Sequence, residues 1–408
     1  MHWRTINIFE KTLMQPLTSP IYLACIITAS ILTSWVLLRI FGPLENDIRN
    51  SPIDGMRGYL ALFVFCHHTV IWYQFKQTGI WAPTTGIYEN IAKTGVRLFF
   101  MITAYLFTSK LLSQPEQKID WSQLFLSRVF RLTPLYFFVI SLVISTIIVQ
   151  SDFSINTSIF SILKNILHWL GFCIFDSPTI NGFPETVRIT SGTTWTLKYE
   201  WLFYFSLPLI SLFTQKRAQL KYVILATVSL ITYSLAPHEP LMFPTAFACG
   251  ILVAIFARHP LIMRFSKSIF GSALLGIILL FSVFKSANHL FLSCIMLLAA
   301  SGCHFFNILN TKASKFLGTI SYSIYLLHGI LLYFCYHKLA TNETPRFMSF
   351  AIRAMIITPL LIILSRLTFT HIEKPFMNPT SRTILLANGK KTIRRLFTKI
   401  TRRVLPEI

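Results

Sequence analysis

The chain has 408 residues and a net charge of +22; 53% of its residues are hydrophobic and 13% are charged, and its mean hydropathy is +0.59. This composition excludes an ordinary soluble domain and indicates a polytopic membrane protein. The basic residues lie between apolar runs and in the C-terminal tail, where they orient the protein and contact anionic lipids, so we expect no nucleic-acid partner. Seven scattered cysteines without a CxxC pair predict neither a disulfide framework nor a metal site.

The first apolar run, 21–40, is longer than a signal-peptide core and is predicted to be a retained spanning helix. The stretch 52–75 is the next. Further spans are predicted at 96–112, 132–150, 195–213, 221–236, 240–257, 269–284, 288–307, 318–337 and 350–370. The amphipathic segment 159–176 is expected at the outer interface or folded back into the bundle, because a crossing there would abolish the excess of Lys and Arg on the cytoplasmic side.

These elements predict an all-α, polytopic helical bundle with about ten core transmembrane helices and one extra N-terminal helix. Three regions follow from this. Residues 1–51 hold the extra helix and a polar link, 52–376 form the core domain, and 377–408 form a basic cytoplasmic tail. Pro134 is expected in the first turn of its helix, where its missing N–H costs little.

The stretch 52–75, PIDGMRGYLALFVFCHHTVIWYQF, carries Arg57 near its start and a His67–His68 pair inside it. Charged and imidazole groups are costly in a spanning helix and are therefore functional candidates. Eleven residues at about 100° each place Arg57 and His68 on one face, about 16 Å apart along the axis, while His67 points about 80° away. The histidines could instead only hydrogen-bond a neighbouring helix, but the aligned arginine favours a function.

Arg128 and Arg131 are three residues apart, on neighbouring positions of one helix face at the predicted cytoplasmic entry. Two guanidinium groups presented together suit phosphate or pyrophosphate, because each offers a rigid fork of donors. Most such arginines only reach to lipid headgroups. The presence of Arg57 at the same predicted membrane face favours a binding role.

Further polar groups fall in later predicted spans. Glu200 has Tyr204 one turn after it, and an intramembrane carboxylate needs a cationic or hydrogen-bonding partner. Orienting a histidine, coordinating an acceptor and pairing with an arginine all stay open for Glu200. His328 lies in mid-span, where a histidine is more often structural than catalytic. Glu373 lies at the exit of the last span and is interpreted as a structural stop.

Six motifs occur in order between about residue 52 and 376: IDGMRGYLALFVFCHH with its Arg-x10-His spacing, GVRLFFMITAYLF, RVFRLTPLY, WTLKYEWLFYF, ISYSIYLLH and IEKPF. Together they resemble the membrane-bound acyltransferase family 3, which includes O-acetyltransferases of bacterial surface polysaccharides and acyltransferases of sugars or macrolides. The chain departs from the family at Thr103-Ala104, where Ser-Gly is usual. That change affects close backbone packing and removes no proton-transfer group.

The resemblance implies an acyl-CoA donor, usually acetyl-CoA, arriving from the cytoplasm as a substrate, with no bound cofactor. The implied acceptor is a hydroxyl of a lipid-linked or exported glycan such as lipopolysaccharide O-antigen, and the implied location is a bacterial inner membrane. The candidate residues are Arg57, Arg128 and Arg131 for the donor phosphates, His68, Glu200 and Tyr204 for catalysis, and His67 and His328 as supporting groups. His68 would deprotonate the acceptor hydroxyl or carry the acyl group itself.

Two other classes of protein also place ionisable groups in a membrane. A transporter or flippase of a polar or lipid-linked solute is the main alternative, although the sequence lacks a pair of broken helices in corresponding positions of two halves. A glycan polymerase or ligase is the second. Neither would consume a thioester, so the use of acetyl-CoA separates both from an acyltransferase.

Overall fold

The structure is a computed structural model that describes residues 20–44, 51–83, 86–113, 119–214, 222, 244–338 and 347–377. Within these ranges it consists of helices and connecting loops, with no strand. The helices are α1 (Pro20–Phe41), α2 (Pro52–Thr78), α3 (Ile87–Ser113), α4 (Trp121–Gln150), α5 (Ile159–Leu170), α6 (Thr186–Ile189), α7 (Trp195–Thr214), α8 (Pro244–Phe256), α9 (Pro260–Ser266), α10 (Ile269–Phe284), α11 (His289–Ala300), α12 (Lys312–Thr319), α13 (Ser321–Leu332), α14 (Phe347–Thr368) and α15 (Lys374–Met377). Short π-helical segments, Tyr333–Lys338 and Phe369–Glu373, extend α13 and α14.

Helix α2 is the central helix of the bundle. The Ser51 side chain caps its first turn, Pro52 occupies the first helical position, and Gly79 ends it in the left-handed conformation with φ 71°. Eighteen of its 27 residues are buried, against five of 22 in α1. Helix α2 is therefore enclosed by protein on most sides, whereas α1 lies at the periphery with most of its surface uncovered.

Close backbone approach fixes the helices around α2, which packs against α1, α3, α12 and α13. A Cβ atom added at Gly318 of α12 would overlap the carbonyl oxygen of Asp54 in α2. Likewise, a Cβ atom at Gly329 of α13 would overlap the Thr190 carbonyl oxygen. Glycine at these two positions brings α12 and α13 against the helix and loop that hold the polar residues of the interior.

By length and hydropathy, four helical stretches in the described ranges could each cross a membrane: Pro20–Phe41, Ile87–Ser113, Trp121–Gln150 and Ser349–Met377. Two bent pairs of helices could each form one further span. They are α8 with α9, bent by 103°, and α12 with the helix after it, bent by 66°. The predicted all-α class is confirmed and the chain is a membrane protein by these spans, but the count of about ten core spans is not confirmed.

Several predicted spans differ from the observed helices in length. The predicted span 288–307 is shortened to α11, which ends at Ala300, and the described part of 240–257 forms α8. Helix α5 has 12 residues, about 18 Å, which is too short to cross a bilayer alone. The predicted span 221–236, apart from residue 222, and the basic tail lie outside the described residues.

The position expected for Pro134 is wrong. Helix α4 begins at Trp121, where the Asp120 side chain caps it, and Pro134 therefore lies in the helix interior. The polar segment before 132 is part of the helix, and Trp121 at its start is buried against the bundle. Arg128 and Arg131 consequently lie two to three turns inside α4, rather than at its first residues.

Candidate active site

A cavity of about 550 Å³ lies between α2, α3, α4, α7, α12 and α13. Four basic side chains and two carboxylates line it: Arg57, Arg128, Arg131, Lys315, Asp54 and Glu200. Aromatic and aliphatic side chains of α3 form an apolar wall that includes Phe99, Leu106 and Phe107. An excess of positive charge beside an apolar wall suits a ligand that joins phosphate groups to a less polar arm.

The predicted donor-binding arginines meet in this cavity, although they come from two helices. Arg57 reaches it from the first turns of α2, and Arg128 and Arg131 reach it from α4. The Arg128 guanidinium lies 5.3 Å from the centroid of the Phe107 ring. Stacking on an aromatic face holds the group in position while its N–H donors stay directed to the side.

Arg131 has a buried partner that the sequence analysis missed. Its Nη1 atom lies 2.8 Å from Oε2 of Glu373, a side chain that is fully buried. The Ser323 hydroxyl donates to the other carboxylate oxygen of Glu373. The interpretation of Glu373 as a structural stop is therefore wrong: it is the ionic anchor of Arg131. Its signal in the sequence was a carboxylate at the end of a span, which requires a partner.

Glu200 and Tyr204 lie on the same cavity wall as Arg128. The Tyr204 hydroxyl donates to Oε1 of Glu200 one turn earlier in α7, and it also interacts with Arg128. Of the alternatives left open for Glu200, contact through Tyr204 with an arginine is the arrangement that the structure contains. These two residues line the same cavity as the three arginines.

The cavity ends at Tyr325 and Thr196, where the two side chains face each other. The Tyr325 hydroxyl lies 2.9 Å from Oγ1 of Thr196 and donates to the Thr193 carbonyl at 3.1 Å. The Phe99 ring packs edge-on against Tyr325, with centroids 6.2 Å apart. Tyr325 and Phe99 thus form the floor of the cavity.

The histidine pair lies immediately behind this floor. His328 packs edge-on against Tyr325, with ring centroids 5.9 Å apart. Its Nε2 atom lies 2.9 Å from Nδ1 of His68, and its own Nδ1 atom lies 3.0 Å from the Ile324 carbonyl oxygen. Within the described residues neither histidine contributes to the cavity wall. Arg57 and His68 share α2 as predicted, but the ring of Tyr325 lies between the cavity, which it lines, and His328, on which it packs.

His67 turns away from this pair towards α3. It is half-buried, whereas His68 is buried, and its ring interacts with the backbone of Tyr88 in α3. The two neighbouring rings are 5.2 Å apart between centroids. His328 is thus the histidine hydrogen-bonded to His68, which spacing within α2 could not reveal.

A second cluster closes the far ends of α2 and α13, and we call it the aromatic cap. It consists of the rings of Trp72, Phe75, Trp81 and Tyr333, with Glu185 and Arg188. The Arg188 guanidinium lies 4.2 Å from the Phe75 centroid, and its Nη1 atom lies 2.8 Å from Oε1 of Glu185. The Tyr333 hydroxyl donates to the same carboxylate at 3.3 Å. These contacts join the loop around α6 to the ends of α2 and α13.

Comparison with known proteins assigns the chain to a family. A family model of the acyltransferase 3 type, described as an acyltransferase domain, matches residues 50–369, more than three quarters of the chain. The chain belongs to the acyltransferase 3 family. No curated protein and no solved structure matches it. The match contains both helices of the histidine pair and every residue that lines the cavity except Met377.

Membership of the acyltransferase 3 family confirms the resemblance and makes the chain a membrane acyltransferase. The transporter and the glycan polymerase or ligase are therefore set aside as primary functions. Among the described residues no three His, Cys, Asp or Glu side chains meet in an arrangement that could hold a metal ion. The candidate active site accordingly consists of the basic cavity and the histidine pair behind it.

Proposed function

We propose that this acyltransferase takes an acyl group from acyl-CoA and transfers it to a hydroxyl of a surface glycan such as lipopolysaccharide O-antigen. The acyl group in this proposal is acetyl. The observation that carries the proposal is the basic cavity that ends against a histidine pair. Coenzyme A combines a phosphate-rich nucleotide with a flexible pantetheine arm, and these two parts match the arginines and the apolar wall of the cavity.

The donor phosphates bind to Arg57, Arg128 and Arg131 in this proposal. Arg131 is held in place by Glu373, and Arg128 is held by Phe107 and by the Tyr204–Glu200 pair. Glu200 and Tyr204 therefore orient an arginine on the donor, a role that differs from acting on the acceptor. Fixed guanidinium groups lose little conformational entropy when the donor binds.

The distance between the two parts of the site supports this arrangement. Arg57 and His68 are separated by about 16 Å along α2, a span comparable with an extended pantetheine arm. The thioester passes the floor of the cavity to reach His68, so the side chains of Phe99 and Tyr325 move aside during binding. His68 then removes the proton of the acceptor hydroxyl, or first accepts the acyl group at its ring nitrogen.

The orientation follows from the origin of the donor. Acyl-CoA is a cytoplasmic metabolite, so the cavity faces the cytoplasm and the aromatic cap faces the opposite side of a bacterial inner membrane. The basic tail then lies in the cytoplasm, in agreement with the excess of Lys and Arg expected there. The acceptor approaches His68 from the side of the aromatic cap.

Release of free coenzyme A tests the proposal. Purified protein in nanodiscs is mixed with acetyl-CoA and a cell-envelope glycan extract, and wild type is compared with His68→Ala and His67→Ala. We expect His68→Ala to lower the release rate by about 10²- to 10⁴-fold, since it removes the proton acceptor, while retaining donor binding. His67→Ala is expected to lose far less.

The matched variant His67→Ala shows whether the loss of coenzyme A release is specific to the His68 ring. Equal losses in both variants would contradict the assignment to His68. Release that is unchanged in His68→Ala would contradict a role of this histidine in transfer. A wild-type protein that neither binds nor consumes acetyl-CoA would overturn the choice of donor.

A further inference from the structure

The hydrogen bonds of the histidine pair form a chain with a fixed direction. The Ile324 carbonyl oxygen can only accept, so the Nδ1 atom of His328, 3.0 Å away, must carry a proton. In a neutral imidazole the other nitrogen is then unprotonated. His328 Nε2 is therefore an acceptor, and the hydrogen bond at 2.9 Å requires His68 Nδ1 to be the donor.

The direction of the chain determines which nitrogen of His68 can react. With its proton on Nδ1, a neutral His68 has a lone pair on Nε2. In water, histidine favours the opposite tautomer, with the proton on Nε2, which could neither remove a proton nor accept an acyl group at that atom. A partner that accepts from Nδ1 shifts this preference, as carboxylates and carbonyl oxygens do for other functional histidines.

We infer that His328 is a positioning residue that holds His68 in the Nδ1–H tautomer, so that Nε2 of His68 is the reactive nitrogen. This inference rests on the proposed acyl transfer at His68. The backbone of α13 fixes the tautomer of His328, because its Nδ1–H donates to the carbonyl of Ile324 one turn earlier. His328 is fully buried and its ring packs against Phe65 and Tyr325, which prevents it from turning over.

The proton balance of the transfer fits this arrangement. The acceptor hydroxyl gives its proton to His68 Nε2 as its oxygen bonds to the thioester carbonyl carbon. The resulting imidazolium keeps its Nδ1–H bond to His328 Nε2, whose lone pair stabilises the positive charge. The C–S bond then breaks, and the leaving thiolate of coenzyme A takes the proton from Nε2, so that His68 returns to its starting tautomer.

Nuclear magnetic resonance tests the tautomer directly. Full-length protein labelled with ¹⁵N-histidine is measured in nanodiscs, and His68→Ala identifies the His68 signals. We expect a protonated Nδ1 and an unprotonated Nε2 for His68 in the wild type, and a larger share of His68 with the proton on Nε2 in His328→Leu, where the backbone of Val64 is the partner that His68 keeps. A wild-type His68 with its proton on Nε2 would overturn the inference. No substrate is present, so this result is independent of whether the proposed function holds.

Steady-state kinetics of variants at position 328 test whether this tautomer is needed for acyl transfer. His328→Leu removes the acceptor, and we expect kcat to fall by about 10²- to 10⁴-fold, the range for losing the correct tautomer or the base itself. The KM for acetyl-CoA should stay within about threefold, because the donor phosphates bind elsewhere. His328→Gln places an amide oxygen near the position of Nε2 and should recover at least a tenth of the wild-type kcat.

A distant histidine provides the control. His304, whose Nδ1 contacts the Asn310 side chain at 2.7 Å, lies outside the proposed machinery, and His304→Leu should leave kcat unchanged. A His328→Leu variant with wild-type kcat would contradict the inference. So would His328→Gln with a loss as large as His328→Leu while both melt at the same temperature. If His328→Leu does not fold, the inference is tested by the kcat of His328→Gln relative to wild type and by the wild-type ¹⁵N spectrum.

Discussion

The two ends of α2 and α13 use the same kinds of side chain for different purposes. At the Arg57 end, arginines surround a cavity of about 550 Å³. At the Trp72 end, Arg188 lies against the rings of Phe75 and Trp81 and is paired with Glu185. An arginine that borders open space can bind a ligand, whereas one that is covered by rings and a carboxylate contributes to packing. The histidine pair lies between these two ends, so the end with the open cavity is the one from which we expect the donor to reach it.

Within the basic cavity, Arg131 both borders the open space and pairs with a buried carboxylate, and removing it should give the largest effect. Arg131→Ala leaves Glu373, at 0% side-chain exposure, without its ionic partner. Breaking a buried pair in this way costs about 3–5 kcal/mol. We expect a strongly lowered thermal unfolding midpoint or a loss of folded protein.

The double variant Arg131→Met with Glu373→Gln provides the control for this effect. It removes both charges together and should recover most of the lost thermal stability, measured in the same detergent. An Arg131→Ala protein that unfolds at the wild-type temperature would show that Glu373 does not depend on this arginine.

Arg128 offers a cleaner test of donor binding because Glu373 pairs with Arg131. Arg128→Gln removes one charged donor of hydrogen bonds, which are worth about 1.5–3 kcal/mol when made to a charged group. We therefore expect the Kd for coenzyme A to rise by about 10- to 100-fold, measured by titration in nanodiscs. Its unfolding midpoint should fall by less than that of Arg131→Ala, since Arg128 is half-buried and loses its stacking on Phe107 and its contact with Tyr204, whereas Arg131→Ala leaves a fully buried carboxylate without its ion pair.

Arg188→Gln is the matched variant at the aromatic cap and should give the reverse result. Its ion pair with Glu185, whose side chains are 24% and 23% exposed, and its stacking together contribute about 1–2 kcal/mol. We expect a small loss of thermal stability and an unchanged Kd for coenzyme A. A raised Kd for coenzyme A in Arg188→Gln, or an unchanged Kd in Arg128→Gln, would contradict the assignment of donor binding to the cavity and of packing to the aromatic cap.

The arginines of the basic cavity could be found from the sequence because their signals are local. Arg57 is aligned with His68 by helical spacing, and Arg128 and Arg131 are neighbours on one helix face. Costly groups in apolar runs stand out in any membrane sequence. Their convergence on one cavity follows once α2 and α4 enter the bundle from the same side.

The partners of these residues could not be found in this way because they are distant in the chain. Glu373 is 242 residues from Arg131, and His328 is 260 residues from His68. No periodicity links such pairs, and a histidine in mid-span is ordinarily structural. The aromatic cap was missed for the same reason, since Arg188 and Phe75 meet only after the loop around α6 folds back over the end of α2.

The fold was predictable in class but not in detail. Apolar length identifies a helix, yet it does not show where a polar segment continues the same helix, as before Pro134 in α4. Nor does it reveal a bend such as the one of 66° between α12 and the helix after it. Gly318, close to this bend, approaches the backbone of α2, and such packing cannot be read from apolar length.

The most direct test of the account is to locate the donor in the protein. A cryo-electron microscopy map of the full-length chain in nanodiscs, with a stable thioether analogue of acetyl-CoA, would show its position. We predict density for the phosphates beside Arg57, Arg128 and Arg131, with the pantetheine arm passing Tyr325 and its acyl end next to Nε2 of His68. Density for the nucleotide at the aromatic cap, or an arm that ends away from the histidine pair, would contradict the account.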